Sequence, residues 1–316
     1  MAKKEKELTI EDLPGVGPST AEKLREGGFP TLLEIAASSP AEITAIGGLG
    51  ETTAIKAIEF AREVMKSKFD LKTAGEVLED RKNLIRISTG INSLDVLLGG
   101  GLESQAITEF HGQWGSGKSQ VAHMACVQAV KKFPDMKVVY LDTENSFRPN
   151  RLVEFAKGEG VDPELVLKQV VSANAFNSSH QIILVEKVEE MLKNKEPISL
   201  LVVDSFMSHF RGEFVGRSTL SNRQGKITTA ISQLAKLATV YNVVVIITNQ
   251  VMTNPGQLFG DPTMPIGGNM LGHTAKFRIY LRRGKKGSRV ASLIDAPDLP
   301  DGECNFFVEA EGFKDA

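Results

Sequence analysis

The chain has 316 residues, of which 41% are hydrophobic and 24% charged, enough for a sizeable core and for two domains, or one large domain with an appendage. Its formal net charge is −2, so any nucleic-acid contact must come from local basic patches rather than from overall charge. There are only two cysteines, Cys126 and Cys304, which fits a reducing compartment, and both are expected as small buried hydrophobes. The mixed-charge start from Met1 to Lys6 has no apolar run behind it and does not read as a signal peptide. No stretch approaches the roughly 20 apolar residues of a membrane helix, so a soluble, intracellular protein with no membrane partner is expected.

Residues 1–66 read as a small all-α domain. Leu13-Pro14-Gly15-Val16-Gly17-Pro18-Ser19-Thr20-Ala21 puts two glycines in a turn before a helix that begins near Ser19. A looser copy follows from Ala45 to Ala54, again with Ser or Thr near the helix start. The pattern resembles the helix-hairpin-helix module, whose glycine turn presents backbone N–H groups to a DNA phosphate without reading sequence. A helical protein-interaction bundle with glycine C-caps fits as well, because the segment is more acidic than basic. Residues 67–80, including Phe69 to Leu78, read as a short amphipathic linker.

Residues 81–316 alternate strand and helix signals, which predicts an α/β core with a mostly parallel sheet flanked by helices. Gly112-Gln113-Trp114-Gly115-Ser116-Gly117-Lys118-Ser119 fits G-x-x-x-x-G-K-[ST] between a short strand, Ala106 to Phe110, and a helical stretch, Val121 to Lys132. Such a loop turns successive N–H groups inward at phosphate oxygens, and the following helix N-terminus adds partial positive charge. Lys118 is placed to reach the β- and γ-phosphates, and the Ser119 hydroxyl to hold Mg²⁺.

Three further apolar runs end in polar residues, where open α/β sheets bind ligands. Val138 to Leu141 leads to Asp142-Thr143-Glu144, Leu200 to Val203 to Asp204-Ser205, and Val243 to Ile247 to Thr248-Asn249-Gln250. Asp204 fits the acid that helps hold Mg²⁺, directly or through water. Glu144 fits the group that orients or deprotonates water attacking a γ-phosphate, and Gln250 a sensor of that phosphate. As a set they predict an ATPase. Arg211 to Lys226 mixes basic residues with glycine, and Val251 to Gly272 has several Gly and Pro and no periodicity; both read as long functional loops. Lys276 to Arg289 holds seven basic residues and no acid, which suits a nucleic-acid backbone.

Over essentially its whole length the chain resembles archaeal RadA recombinases, the RecA-like strand-exchange ATPases. The matching stretches are Leu13 to Ala21, Ser88-Thr89-Gly90, Leu97 to Gly101, the phosphate loop, Leu141 to Pro149 and Asp204 to Arg211. They continue through Asn249 to Met252, Phe259 to Thr263 and Asp295 to Gly302. The resemblance implies a RecA-like ATPase core behind a helix-hairpin-helix domain, with ATP and Mg²⁺ as cofactors. It makes Glu144 the catalytic glutamate, Gln250 the γ-phosphate sensor, Asp204 the strand-end acid and Arg151 an arginine packed on adenine. It assigns DNA binding to two loops, one with Arg211, Arg217 and Arg223, the other from Val251 to Gly272 with Gly267, Gly268 and Asn269. A segment like Asp295 to Pro300 caps the nucleotide of the adjacent subunit. Leu71-Lys72-Thr73-Ala74 resembles the Phe-x-x-Ala hook between subunits, so Leu71 and Ala74 are the oligomerisation residues.

The family pattern is departed from at Gln113, Trp114, Asn145, Ser146, Asn150, Leu71, Asn269 and Asp298. The implied function is a DNA-dependent ATPase that forms filaments on single-stranded DNA and catalyses homologous pairing and strand exchange in recombination and repair. Its implied partners are single- and double-stranded DNA, further copies of itself in a helical filament or ring, and recombination mediators. The implied location is cytoplasmic and nucleoid-associated. A recombinase paralogue that binds ATP and loads or regulates the true recombinase is the alternative, and a ring-shaped helicase on the same core is a third.

Overall fold

The computed structural model describes residues 8–65, 72–214, 220–253 and 263–316. The chain divides into two compact units, Met1–Lys82 and Asn83–Ala316. Among the described residues no helix is long and apolar enough to cross a membrane.

The first unit is helical: α1 (Pro18–Glu26), α2 (Leu32–Ala37), α3 (Pro40–Gly47), α4 (Glu51–Met65) and α5 (Ala74–Asp80). The apolar residues of α4 recur at one face, so Ala54, Ala57, Ile58, Ala61 and Met65 are buried together with Leu24, Ile35 and Ile43. Capping boxes define three helix starts, Thr31 with Glu34, Ser39 with Glu42 and Thr73 with Glu76. The first glycine turn packs on the start of α4. Gly15 has φ +77°, and a Cβ there would lie 2.4 Å from Thr53 Cγ2, so no other residue fits without a shift. No residue of α5 is buried, and Ala74 opens it. Leu71 lies outside the described residues.

The second unit begins with β1 (Arg86–Ile87), α6 (Asn92–Leu97), β2 (Leu102–Glu103), β3 (Ile107–Gly112) and α7 (Lys118–Lys132). It continues with β4 (Lys137–Asp142), α8 (Pro149–Gly158), α9 (Pro163–Gln169), β5 (Val170–Asn174), α10 (Ser178–Lys193) and β6 (Ile198–Asp204). After α11 (Ser208–Glu213) and α12 (Leu220–Tyr241) come β7 (Val244–Asn249), β8 (Val251–Thr253), β9 (Thr263–Pro265) and α13 (Gly268–Thr274). The chain ends in β10 (Phe277–Arg283), β11 (Arg289–Asp295), β12 (Gly302–Val308) and β13 (Phe313–Asp315).

Nine strands form one sheet in the order β13-β12-β11-β10-β3-β7-β6-β4-β5. Pairings from β10 to β5 are parallel, and β11 to β13 extend the sheet antiparallel. Successive residues of each central strand face opposite sides of the sheet. Leu200, Val202, Val244 and Ile246 therefore pack beneath α7, while Leu201, Val203, Val245 and Ile247 pack with α10 and α12. Burial on both faces explains why these strands are continuous apolar runs. Cys126 and Cys304 are buried in the first of these cores.

Two expectations need correction. Arg211 to Lys226 is not one irregular loop, because Arg211 lies in α11 and Leu220 to Lys226 forms the first turns of α12. Val251 to Gly272 is not structureless either. Val251 pairs with Pro265 and Thr253 with Thr263 in a hairpin, and α13 starts at Gly268. Glycine and proline hide both elements from a periodicity search, since a two-strand ribbon is defined by pairing across the loop rather than along it.

Candidate nucleotide-binding site

The parallel strands end together, and the polar residues at their tips converge. Strand β3 delivers Gly112, the loop turns through Gly115, and Gly117 at φ +108° is the N-cap of α7. Only glycine takes that angle without strain, and it aims the first N–H groups of α7 at one point. Lys118 folds over the loop, its ammonium donating to the carbonyls of Gly112 at 3.0 Å and Gln113 at 3.1 Å. Burial lowers its pKa, and the nearby charges of Asp204 and Glu144 oppose that shift.

Asp204, at the end of β6, is buried and fully hydrogen-bonded. Its Oδ2 accepts from Tyr140 Oη at 2.6 Å and Ser146 Oγ at 3.1 Å, and its Oδ1 accepts from the Thr248 hydroxyl. Thr143 clips the tip of β4 to that of β6. Its backbone N–H donates to the Asp204 carbonyl at 2.8 Å, and its hydroxyl donates to the Ser205 carbonyl at 2.7 Å. Asp142 then shapes the turn that follows, its carboxylate accepting from the N–H groups of Glu144 at 3.0 Å and Phe147 at 2.8 Å. Glu144 is thereby presented to the cavity, where its Oε1 accepts from Gln250 Nε2 at 2.8 Å.

Lys118, Ser119, Glu144, Asp204, Gln250 and Arg289 line a cavity of about 290 Å³ with Trp114 at its lip. Its walls fit a polyphosphate: a glycine-rich turn, a helix N-terminus, one ammonium and the Ser119 side chain. Among the described residues no three His, Cys, Asp or Glu side chains stand ready to hold a metal, so a cation here would rest on Ser119, Asp204 and phosphate oxygens.

His123 ties the phosphate loop to the Glu144 turn. The Arg148 N–H donates to its Nε2 at 3.1 Å, so its proton sits on Nδ1, facing the Ser119 carbonyl. Burial, the largest influence, keeps this ring neutral by lowering its pKa.

Arg151 is held flat on the Phe155 ring, 3.8 Å from its centroid, with Nε donating to Gln120 Oε1 at 2.7 Å. Its Nη2 donates to the Glu309 carbonyl at 2.7 Å. Gln120 lines the cavity, which places the guanidinium beside it. Asp295, the last residue of β11, and Pro300, in the segment before β12, are exposed and do not line this cavity. Gln113 is exposed in the loop.

Gln250 also faces a second cavity of about 70 Å³, shared with Arg211, Asn249 and Ile266. Behind it runs a buried network. Asn249 Nδ2 donates to Glu109 Oε1 at 2.8 Å and to the Ile266 carbonyl at 2.6 Å, and Arg278 Nε donates to Glu109 Oε2 at 2.9 Å. Strand β3 is thus bonded to the segment that carries Gly267 and Gly268. Arg223 lies on α12; Arg217 and the Asn269 side chain lie outside what is described.

The basic run from Lys276 to Arg289 does not form a single nucleic-acid face. Arg278 pairs with buried Glu109, Arg282 with Glu303, and Arg283 and Arg289 turn to the phosphate loop. Strand alternation separates the side chains that a linear count groups together. Sequence reasoning named Asp142 at a strand end and Ser146 as a departure from the family pattern without giving either a role, and it passed over Tyr140 and Arg289. The position of Asp142, two residues before Glu144, was the available signal for its role; Arg289 offered no local signal.

Residues 7–63 match the SAM-like helix-hairpin-helix tandem. Residues 80–316, most of the chain, match the Rad51 family. The helix-hairpin-helix and Rad51 domains together indicate DNA binding, and Rad51 family members bind ATP with Mg²⁺. The chain belongs to the Rad51 family of RecA-type recombinases, ATPases of DNA recombination.

Proposed function

We propose that this chain is a strand-exchange recombinase of the archaeal RadA type, a DNA-dependent ATPase that polymerises on single-stranded DNA and pairs it with homologous duplex. The observation that carries this reading is the Gln250–Glu144 hydrogen bond of 2.8 Å. Gln250 touches the carboxylate in the phosphate cavity and also lines the smaller cavity with Arg211, so nucleotide state and the DNA-loop segments share one side chain.

The phosphates of ATP lie along the N–H groups of Gly112 to Ser119, with Lys118 leaving its loop carbonyls for the β- and γ-oxygens. Ser119 and Asp204 hold Mg²⁺, which when bound neutralises charge on those oxygens. Gln250 exchanges Glu144 for the γ-phosphate and releases the carboxylate to orient the attacking water. The water oxygen bonds to the γ-phosphorus, Glu144 takes its proton, and the bond to the bridging oxygen breaks to give ADP and phosphate. Arg151 supports the adenine. Arg211, Arg217, Arg223, Gly267, Gly268 and Asn269 meet the DNA backbone. Residues 67–80 act as a linker between a helix-hairpin-helix domain and the ATPase core, with Leu71 and Ala74 docking on the next subunit. Asp295 to Pro300 cap that neighbour's nucleotide.

The test is ATP turnover with and without single-stranded DNA, together with electron microscopy in a non-hydrolysable ATP analogue. Wild type is expected to be DNA-stimulated and to form helical filaments. Glu144→Gln is expected to bind ATP and form filaments while turnover falls by about 10²-fold or more. Small complexes with no stimulated turnover would instead identify a regulatory paralogue, and closed hexamers a helicase.

A further inference from the structure

Arg289 and Arg283 face each other in register on β10 and β11. Like charges placed directly opposite are destabilising unless something neutralises them. Among the described residues neither makes an ion pair with an acid. Both instead turn to the glycines of the phosphate loop. Arg283 Nε donates to the Gly115 carbonyl at 3.4 Å. A Cβ on Gly117 would lie 3.8 Å from Arg289 Cγ and 3.9 Å from its Nε. The Arg289 guanidinium is anchored at one corner only, Nη1 donating to the carbonyls of Gly287 at 2.9 Å and Ser288 at 3.1 Å. Its Nε is buried with no partner among the described residues, on a side chain that lines the nucleotide cavity. A buried N–H without an acceptor is destabilising until an acceptor arrives. Burial and the nearby Arg283 charge both lower the arginine's affinity for its proton.

We infer that Arg289 is a second phosphate-binding cation of the nucleotide site, acting within its own chain and donating to the anion held at Gly117. The inference rests on the reading that this cavity takes ATP, and adds a ligand from a hairpin far from the loop in sequence. Gly117 leads into the helix N-terminus, where a P-loop backbone cradles α- and β-phosphates. Arg289 therefore binds the part of the nucleotide common to ATP and ADP. It strengthens substrate and product binding alike, so its loss raises KM and leaves kcat unchanged or higher where ADP release limits turnover.

The test is calorimetric titration of the full chain with Mg-ADP and a non-hydrolysable Mg-ATP analogue at two salt concentrations. It compares wild type, Arg289→Gln and Arg289→Lys, with thermal unfolding as the control for folding. A charge-assisted contact predicts about 10- to 100-fold weaker binding of both nucleotides by Arg289→Gln, with a shallower salt dependence. Arg289→Lys keeps the charge and recovers part of the loss. Binding by Arg289→Gln within about twofold of wild type overturns the inference, as does weaker binding with an unchanged salt slope. A wild-type chain that binds neither nucleotide would overturn the ATPase reading as well, so the two failures are distinct.

Discussion

Two residues beside Glu144 differ from the family pattern, and local geometry accounts for both. Asn145 stands where glycine is usual and has φ +54°. Asparagine is one of the few side chains that enters the left-handed region readily. Ser146 stands where threonine is usual and keeps the hydroxyl that donates to Asp204 at 3.1 Å. Asn145→Gly is therefore expected to keep turnover near wild type. Asn145→Val should lose stability by roughly 1–2 kcal/mol and turnover with it, since a β-branched residue resists that angle. Melting curves and steady-state rates check this, and a fully active Val variant would count against the Glu144 turn as placed. A dihedral angle is invisible in a one-letter pattern, so the sequence showed the departure at position 145 without showing why it is tolerated. Arg289 was hidden for another reason: its place depends on strand register across the sheet.

At the scale of elements, strands β4, β6 and β7 were legible because burial on both faces makes them continuous apolar runs. Their tip residues Glu144, Asp204 and Gln250 were legible for the same reason. The hydrogen-bonded ties between β3, β7 and β10 were not, because Glu109, Asn249 and Arg278 come from distant segments. His111 at the end of β3 belongs to this group, stacked on Tyr280 with ring centroids 5.5 Å apart. Glu109 lies 3.7 Å from its ring, yet burial dominates and pushes the histidine pKa down to about 4, helped by Arg278 and Lys118. Glu109 already serves Arg278 and Asn249, so His111 is neutral and not an ion-pair partner. An unfolded histidine titrates near 6.5. Between about pH 6.5 and 4 the unfolded chain therefore binds a proton that the folded chain refuses, and stability falls with pH by on the order of 3 kcal/mol. The lowered pKa of His123 acts in the same direction. Urea unfolding across that window should show the slope, and His111→Gln should flatten it. An equally steep slope in the variant would mean that His111 is not the group responsible.

For the whole molecule, length and the repeated glycine turn pointed to a helical domain ahead of an α/β core. Every residue lining the nucleotide cavity lies between Trp114 and Val308, in the second compact unit. A chain starting at residue 80 is therefore expected to bind Mg-ATP within about twofold of the full protein, because it keeps every residue that lines the cavity. Titration of both chains under one set of conditions checks this. Lost nucleotide binding in the shorter chain would mean that the first unit takes part in the site.

Trp114 has one more consequence. It is the only tryptophan in the chain, and its indole is 88% exposed at the lip of the phosphate cavity. The protein thus carries its single indole fluorophore at the nucleotide site. On adding nucleotide, DNA or more protein, a blue shift reports desolvation of this single ring and a quench reports a new group in contact with it. Binding and subunit assembly can then be followed in real time on the unlabelled wild-type chain.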